Sequence, residues 1–181
     1  MKRFSTRELL VWVGIITVSS LIAYSVTREP HHNDLAGETA PAIFGVDAQG
    51  KQVNLGPTSG VVTILNLYAN WCPPCRQEIP EFSAYYSQIK DRKDVELIAM
   101  VFESGPPGKA IAEAQKLGVD YTVFAGTADM TRAYNLHRYP TTVIIGPEGK
   151  IRAHLEHTLD VPAIDDLVRS AKQPLPPATQ P

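Results

Sequence analysis

The two cysteines of this 181-residue chain stand three positions apart in the run Trp71-Cys72-Pro73-Pro74-Cys75, and no other cysteine exists. A pair this close makes a poor structural staple, because closing so short a loop restricts the unfolded chain very little. Directly upstream lies the apolar, β-rich run Val61 to Tyr68, so the pair sits where a strand hands over to a helix. Two thiols in that position point to thiol–disulfide exchange. The structural alternative is zinc, which needs about four ligands. No second Cys-x-x-Cys is present; His31 and His32 fall in a polar linker, and His137, His154 and His157 are scattered. Two unrelated buried cysteines would leave Trp71 and the paired prolines without a reason.

At a helix start, Cys72 meets unpaired backbone N–H groups and the positive end of the helix dipole, both of which stabilise a thiolate. Cys72 is therefore the expected nucleophile, and Cys75, one turn on and deeper, the resolving thiol. Pro73 and Pro74 suit a first helical turn and stiffen the loop. Glu78 falls on the helix face of Cys75 one turn further in; spacing alone leaves open an exposed carboxylate or a buried one with a raised pKa. Pro80 removes a backbone donor and is expected to kink the helix. Trp71 and Tyr139 fit either a groove rim or the core. Asn66 reads as a buried, hydrogen-bonded strand residue and His137 as an exposed loop residue.

A hydrophobic fraction of 44% with 20% charged residues fits one globular domain plus extensions, and a net charge of −2 gives no electrostatic case for nucleic acid. Leu9 to Val26 carries no charge and as a helix reaches roughly 27 Å, enough for one membrane crossing. A cleaved secretory signal has a shorter apolar region and ends at small residues, whereas here Leu21-Ile22-Ala23 offers a poor cleavage site. Lys2, Arg3 and Arg7 outweigh Arg28, placing the amino terminus in the cytoplasm and the domain outside. The expected organisation is a signal-anchor over residues 1–28, a linker over 29–39, the domain over 40–172 and a disordered Pro-rich tail over 173–181. Within the domain, strands are expected at Ile43–Val46, Gln52–Leu55, Val61–Tyr68, Val95–Phe102, Tyr121–Phe124, Thr141–Ile145 and Lys150–Leu155. Helices are expected at Pro73–Ile89, at Lys109–Leu117, from an Asp129 cap to Asn135, and at Asp160–Lys172. This alternation, closed by a hairpin, implies an α/β sandwich with a mixed sheet.

From Ala40 to Lys172 the chain resembles the thioredoxin-fold family, and within it the membrane-anchored TlpA/ResA-like reductases. The resemblance rests on Ala40-Pro41, Gly50-Lys51, Asn66, Trp71 to Cys75, Glu78, Pro80, Tyr139-Pro140-Thr141-Thr142 and Pro147 to Lys150, and on a helix–strand insertion at Lys109 to Phe124. It implies an acidic residue, here Glu78, that handles the proton of the resolving thiol. It also implies a cis-Pro140 facing the dithiol, with Trp71, Pro73, Tyr139 and Pro140 binding an extended substrate segment. The implied substrates are disulfides in partner proteins: the Cys-x-x-Cys-His motif of apocytochrome c, or copper-site cysteines of an assembly protein. Electrons would come from a membrane-embedded thiol donor. No cofactor and no metal is implied, and a tethered monomer at the cytoplasmic (inner) membrane, facing the periplasm or its equivalent, is expected. One departure stands out: the Gly-Val-x-Gly-x-Pro-Glu motif of the cytochrome-maturation branch is not matched by Asn135 to Thr141.

Three other functions fit parts of the pattern. A disulfide-forming oxidase shares the motif, since thioredoxin and DsbA differ by about 150 mV on one fold. A copper-binding chaperone would use both thiols with a His, although related copper sites space their cysteines wider. A peroxidase would need a Thr-x-x-Cys loop where Trp-Cys-Pro-Pro-Cys stands.

Overall fold

The computed structural model describes residues 12, 15–19, 35–56 and 59–174. The chain divides into two units, Met1–His31 and His32–Pro181. In the first, residues 12 and 15–19 are helical, with Trp12, Ile15, Ile16 and Val18 exposed. Most of the Leu9 to Val26 run lies outside the described residues, as does the tail beyond residue 174. Among the described residues no helix is long and apolar enough to cross a membrane.

The second unit holds seven strands, β1 (Ile43–Val46), β2 (Gln52–Leu55), β3 (Val62–Tyr68), β4 (Val95–Val101), β5 (Thr122–Gly126), β6 (Thr141–Ile145) and β7 (Ile151–Leu155). Four helices accompany them: α1 (Pro73–Ile89), α2 (Pro107–Lys116), α3 (Ala128–Ala133) and α4 (Val161–Ala171). The strands form one sheet in the order β2-β1-β5-β4-β3-β6-β7. β3, β4 and β5 run parallel, while β6 and β7 on one side and the β1–β2 hairpin on the other are antiparallel. This is the mixed-sheet α/β architecture that the alternation of elements implied. The insertion of α2 and β5 has a clear purpose: β5 bridges β4 to β1 and so joins the amino-terminal hairpin to the sheet.

Every residue of β3 is buried, which is why its sequence is an unbroken run and not an alternation. Successive side chains still point to opposite faces. Val62, Ile64 and Tyr68 join the core under α1, α2 and α4, while Leu65 and Leu67 join the core of β1 and α3. Asn66 has the parity of Ile64 and Tyr68, so its amide points to the α1 side.

Cys75, Glu78, Ile79, Phe82, Tyr85 and Ile89 are the buried residues of α1 and recur at helical spacing. The helix runs through Pro80 to Ile89. Several boundaries shift by one or two residues, as β5 does from the expected Tyr121–Phe124 to Thr122–Gly126, and two helix starts differ for a physical reason. α2 starts at Pro107, ahead of Lys109, because proline at a helix start gives up an N–H that has no intrahelical partner anyway. Asp129 does not cap α3: Thr127, with an extended backbone, accepts the Met130 N–H on its hydroxyl, while Asp129 lies in the first turn and pairs with Arg132.

Candidate active site

β3 delivers the chain through Ala69, Asn70 and Trp71 to Cys72, the N-cap of α1, whose backbone is extended at φ −81° and ψ 116°. Pro73 and Pro74 fill the first helical positions. Cys72 and Cys75 are joined as a disulfide with Cα atoms 5.3 Å apart. The Cys75 N–H donates to Cys72 Sγ at 3.4 Å, so an N-terminal amide of the helix already points at the sulfur that would carry negative charge. Cys75 is fully buried and Cys72 is 5% exposed.

Cys72 Sγ lies 3.7 Å from the carbonyl oxygen of Tyr139, and the Tyr139–Pro140 bond is cis, as the resemblance implied. A groove of about 360 Å³ opens there, lined by Trp71, Cys72, Glu103, His137, Arg138 and Tyr139 among others. Trp71 is a rim residue and not core, at 56% exposed. Its indole N–H donates to the Glu103 carbonyl at 2.9 Å, and its ring meets Tyr139 edge-on with centroids 6.0 Å apart. Glu103 reaches that position with φ 47°, a left-handed conformation that costs a non-glycine residue about 1 kcal/mol. Tyr139 is half-buried and stacks on Phe102, and Pro140 is buried.

The approach to Cys72 is tied down by polar contacts that the spacing of the sequence does not announce. The Asn70 side chain donates to the Ala110 carbonyl at 2.8 Å, the Asn70 N–H donates to Ser104 Oγ, and Arg76 Nε donates to the Asn70 carbonyl. The buried Asn66 does form the hydrogen bond expected of it. Its partner is Glu78, whose Oε1 it meets at 2.8 Å, a pairing of β3 with α1 that spacing along the chain does not show.

Glu78 is 2% exposed, which settles the choice left open by spacing. Burial pushes its carboxyl up to about 7, against the opposing pull of the Asn66 amide and the Leu159 N–H, which reaches Oε2 at 3.4 Å. The result is an acid one turn from Cys75 that changes charge near neutral pH. Its second neighbour, the loop 157–160 before α4, carries no motif that would have marked it. Among the described residues no group of three or more His, Cys, Asp and Glu side chains is arranged to hold a metal ion.

Such a constellation suits nucleophilic attack by one sulfur and resolution by the other. Comparison with known proteins carries it further: residues 36–154 match the AhpC/TSA family. The chain belongs to the AhpC/TSA family. The ResA thiol-disulfide oxidoreductase of Bacillus subtilis (strain 168) is 30% identical over 172 residues, covering 92% of this chain and 94% of the relative. The thiol:disulfide interchange protein DsbE of Allochromatium vinosum is 28% identical over 155 residues, covering 82% and 83%. A solved thiol:disulfide interchange protein of the thioredoxin family from Chlorobium tepidum TLS superposes with a TM-score of 0.64 at 24% identity, over 74% of this chain and 94% of that one; it shows the shared thioredoxin-like fold. This AhpC/TSA-family protein is thus a thiol-disulfide oxidoreductase of the ResA and DsbE type.

One packing detail of the AhpC/TSA chain gives a sharp test of the groove wall. A Cβ on Gly126 would stand 2.3 Å from the ring of Phe102, the ring that supports Tyr139. Gly126→Ala is expected to cost about 1–3 kcal/mol through overpacking and to slow exchange with protein disulfides more than with a small disulfide. Urea denaturation alongside the two exchange assays reads both effects. Unchanged stability and unchanged exchange would mean that the Phe102 ring moves aside without disturbing Tyr139.

Proposed function

We propose that this oxidoreductase works as a reductase of disulfides in partner proteins, with Cys72 as nucleophile, Cys75 as resolving thiol and Glu78 as the base that serves Cys75. The observation that carries the reading is the position of Cys72 Sγ: at the N-cap of α1, facing the Tyr139 carbonyl, in a groove open to a client chain. In the reduced protein, the Cys72 thiolate attacks a client disulfide. One client thiolate leaves and takes a proton, and a mixed disulfide forms. Cys75 then passes its proton to Glu78 and attacks Cys72 Sγ, which restores the Cys72–Cys75 disulfide and releases the second client thiolate. Two electrons pass to the client per cycle. Trp71, Pro73, Tyr139 and Pro140 bind the client segment, whose backbone pairs with that of Tyr139 as an added strand.

Support for the reducing direction comes from Glu78. A buried carboxylate beside a dithiol disfavours thiolates, and what disfavours the reduced form makes it the stronger reductant. DsbA illustrates the opposite case, being oxidising because its reduced form is stabilised. The client proposed is the Cys-x-x-Cys-His motif of apocytochrome c, with copper-site cysteines of an assembly protein as the second choice; both rest on the TlpA/ResA-like resemblance. Residues 1–28 are proposed as an uncleaved anchor in the cytoplasmic membrane, 29–39 as linker, whose last residues already join the domain through hydrogen bonds from the Gly37 N–H to the Ile151 carbonyl and from the Ile151 N–H to the Glu38 carbonyl, and 40–172 as a monomeric domain on the outer side. The uncharged run Leu9 to Val26 and the exposed apolar side chains of Trp12, Ile15, Ile16 and Val18 support the anchor. A membrane-embedded thiol donor would then reload the dithiol.

Trapping thiols in growing cells with a mass-adding alkylating reagent tests this. Cys72 and Cys75 are expected to be mostly reduced in an otherwise oxidising compartment, and to become oxidised when the membrane donor is removed. A disulfide steady state in unperturbed cells would turn the reading towards an oxidase.

A further inference from the structure

Glu78 borders a second opening. Between α1 and the loop leading into α4 lies a cleft of about 440 Å³, lined by Gln77, Glu78, Glu81, His157, Leu159 and Asp160 among others. It shares no lining residue with the groove at Cys72. The Glu78 carboxyl is fixed at its inner end by Asn66 from β3 and by the Leu159 N–H from the loop. His157 and Thr158 are exposed. The His157 Nδ1 lies 3.0 Å from the Thr158 carbonyl. A carbonyl oxygen only accepts, so Nδ1 carries a hydrogen, and Nε2 is the ring nitrogen left to exchange a proton.

We propose that Glu78 exchanges its proton with solvent through this α1–α4 cleft, with His157 as the relay residue, while a client protein covers the groove at Cys72. The proposal rests on the reading of Glu78 as base for Cys75. A base that must first shed its own proton needs such a path. At the resolving step the Cys75 S–H bond breaks, its proton goes to the Glu78 carboxylate, the Cys75–Cys72 bond forms and the client thiolate leaves with the electron pair of the broken mixed disulfide. With its carboxyl pushed up to about 7 by burial, Glu78 must be deprotonated before it can accept from Cys75, and the client lies over the groove while the mixed disulfide waits for that. The other groups around Glu78 are already committed. Glu81 accepts the Val161 N–H at 3.1 Å, and Asp160 caps α4 by accepting the Ala163 N–H at 2.9 Å. Tyr121, on the far side, has its hydroxyl pushed well above its ordinary value by burial first and by the charges of Tyr68 and Glu78 next, so it does not ionise in this cycle. Imidazole is the side chain type suited to passing a proton either way near neutral pH.

The test uses the full chain and single-turnover reaction of the reduced protein with a peptide disulfide. The attack and resolving steps are timed separately across pH 5.5–8.5, in H₂O and D₂O. Ala163 also lines the cleft, and Ala163→Phe, which replaces no thiol and no hydrogen-bonding side chain, is expected to slow resolution by about tenfold, with attack unchanged and a larger solvent isotope effect. His157→Ala is expected to slow resolution about threefold below pH 7.5 and to recover on addition of free imidazole, which a purely structural role would not permit. If Ala163→Phe fails to fold, His157→Ala with imidazole decides alone. Native resolution rates and isotope effects in the folded variants overturn the route. Glu78→Gln separates the two claims. Slow resolution in Glu78→Gln with native rates in the cleft variants removes the route and keeps the base; native rates in Glu78→Gln remove both.

Discussion

Cys75→Ala is expected to turn the protein into a trap. Attack by Cys72 still proceeds, because its helix N-terminus and groove are untouched, but the mixed disulfide has no internal thiol to resolve it. Resolution then waits for an external thiol, and losing an attacking group already held in place costs on the order of a thousandfold or more. A covalent adduct should accumulate on non-reducing gels and carry its client with it. Cys72→Ser should form no adduct, since Cys75 is fully buried and no client sulfur can reach it. Adducts on Cys72→Ser in place of Cys75→Ala would reverse the two roles. The trapped client also answers the question of substrate, by whether it carries a Cys-x-x-Cys-His segment or a copper-site pair.

Glu78→Gln should change both rate and stability, in opposite senses. Losing a positioned base slows the resolving step by roughly 100-fold. Stability follows from linkage. The folded carboxyl, near 7, lies above its ordinary value of 4.5, so the folded state binds the proton more tightly than the unfolded chain between those limits. Its contribution is fully present below pH 4.5 and is lost as pH rises through 7, a swing of about 3 kcal/mol at about 1.4 kcal/mol per pKa unit. The glutamine variant lacks this slope. It should be less stable than the parent near pH 4, where its amide cannot accept from both Asn66 and Leu159, and more stable at pH 8. Asp94, held well below the usual carboxylate range by Arg92 and then Lys172, and Glu148, lowered by Arg152, act with the opposite sign and below pH 4.5. They do not blur the window. Urea unfolding of both proteins from pH 4 to 8 gives the comparison; parallel curves would mean that Glu78 is not a titrating buried acid.

The elements were legible because their signals are local. Val61 to Tyr68 and Val95 to Phe102 are apolar runs of strand length, and the hairpins carry Asp47 to Gly50 and Gly146 to Gly149 between strand patterns. Cys72 announced itself by its partner and by the prolines that follow. Glu78 was half visible: it sits in the buried stripe of Cys75, Ile79 and Phe82, but spacing cannot show what covers a stripe. Its partners come from distant elements, Asn66 through the parity of a strand and Leu159 through a loop before the last helix. The groove wall was hidden for the same reason. Glu103 lines it because β4 lies beside β3, and Phe102, which backs Tyr139, meets Gly126 because β4 lies beside β5; the cis bond before Pro140 is nominated by resemblance and not by composition. The cap of α3 was misplaced because Thr127 and Asp129 are both good caps, and only the extended backbone of Thr127 distinguishes them.

Redox equilibration of the full chain against buffers of known potential, with the dithiol fraction read by alkylation, tests the central claim most directly. A reductase with a buried acid beside its dithiol should sit below about −200 mV, nearer to thioredoxin at about −270 mV than to DsbA at about −120 mV, and Glu78→Gln should raise that value. A potential close to about −120 mV, unmoved by Glu78→Gln, would contradict the account and make the protein an oxidant.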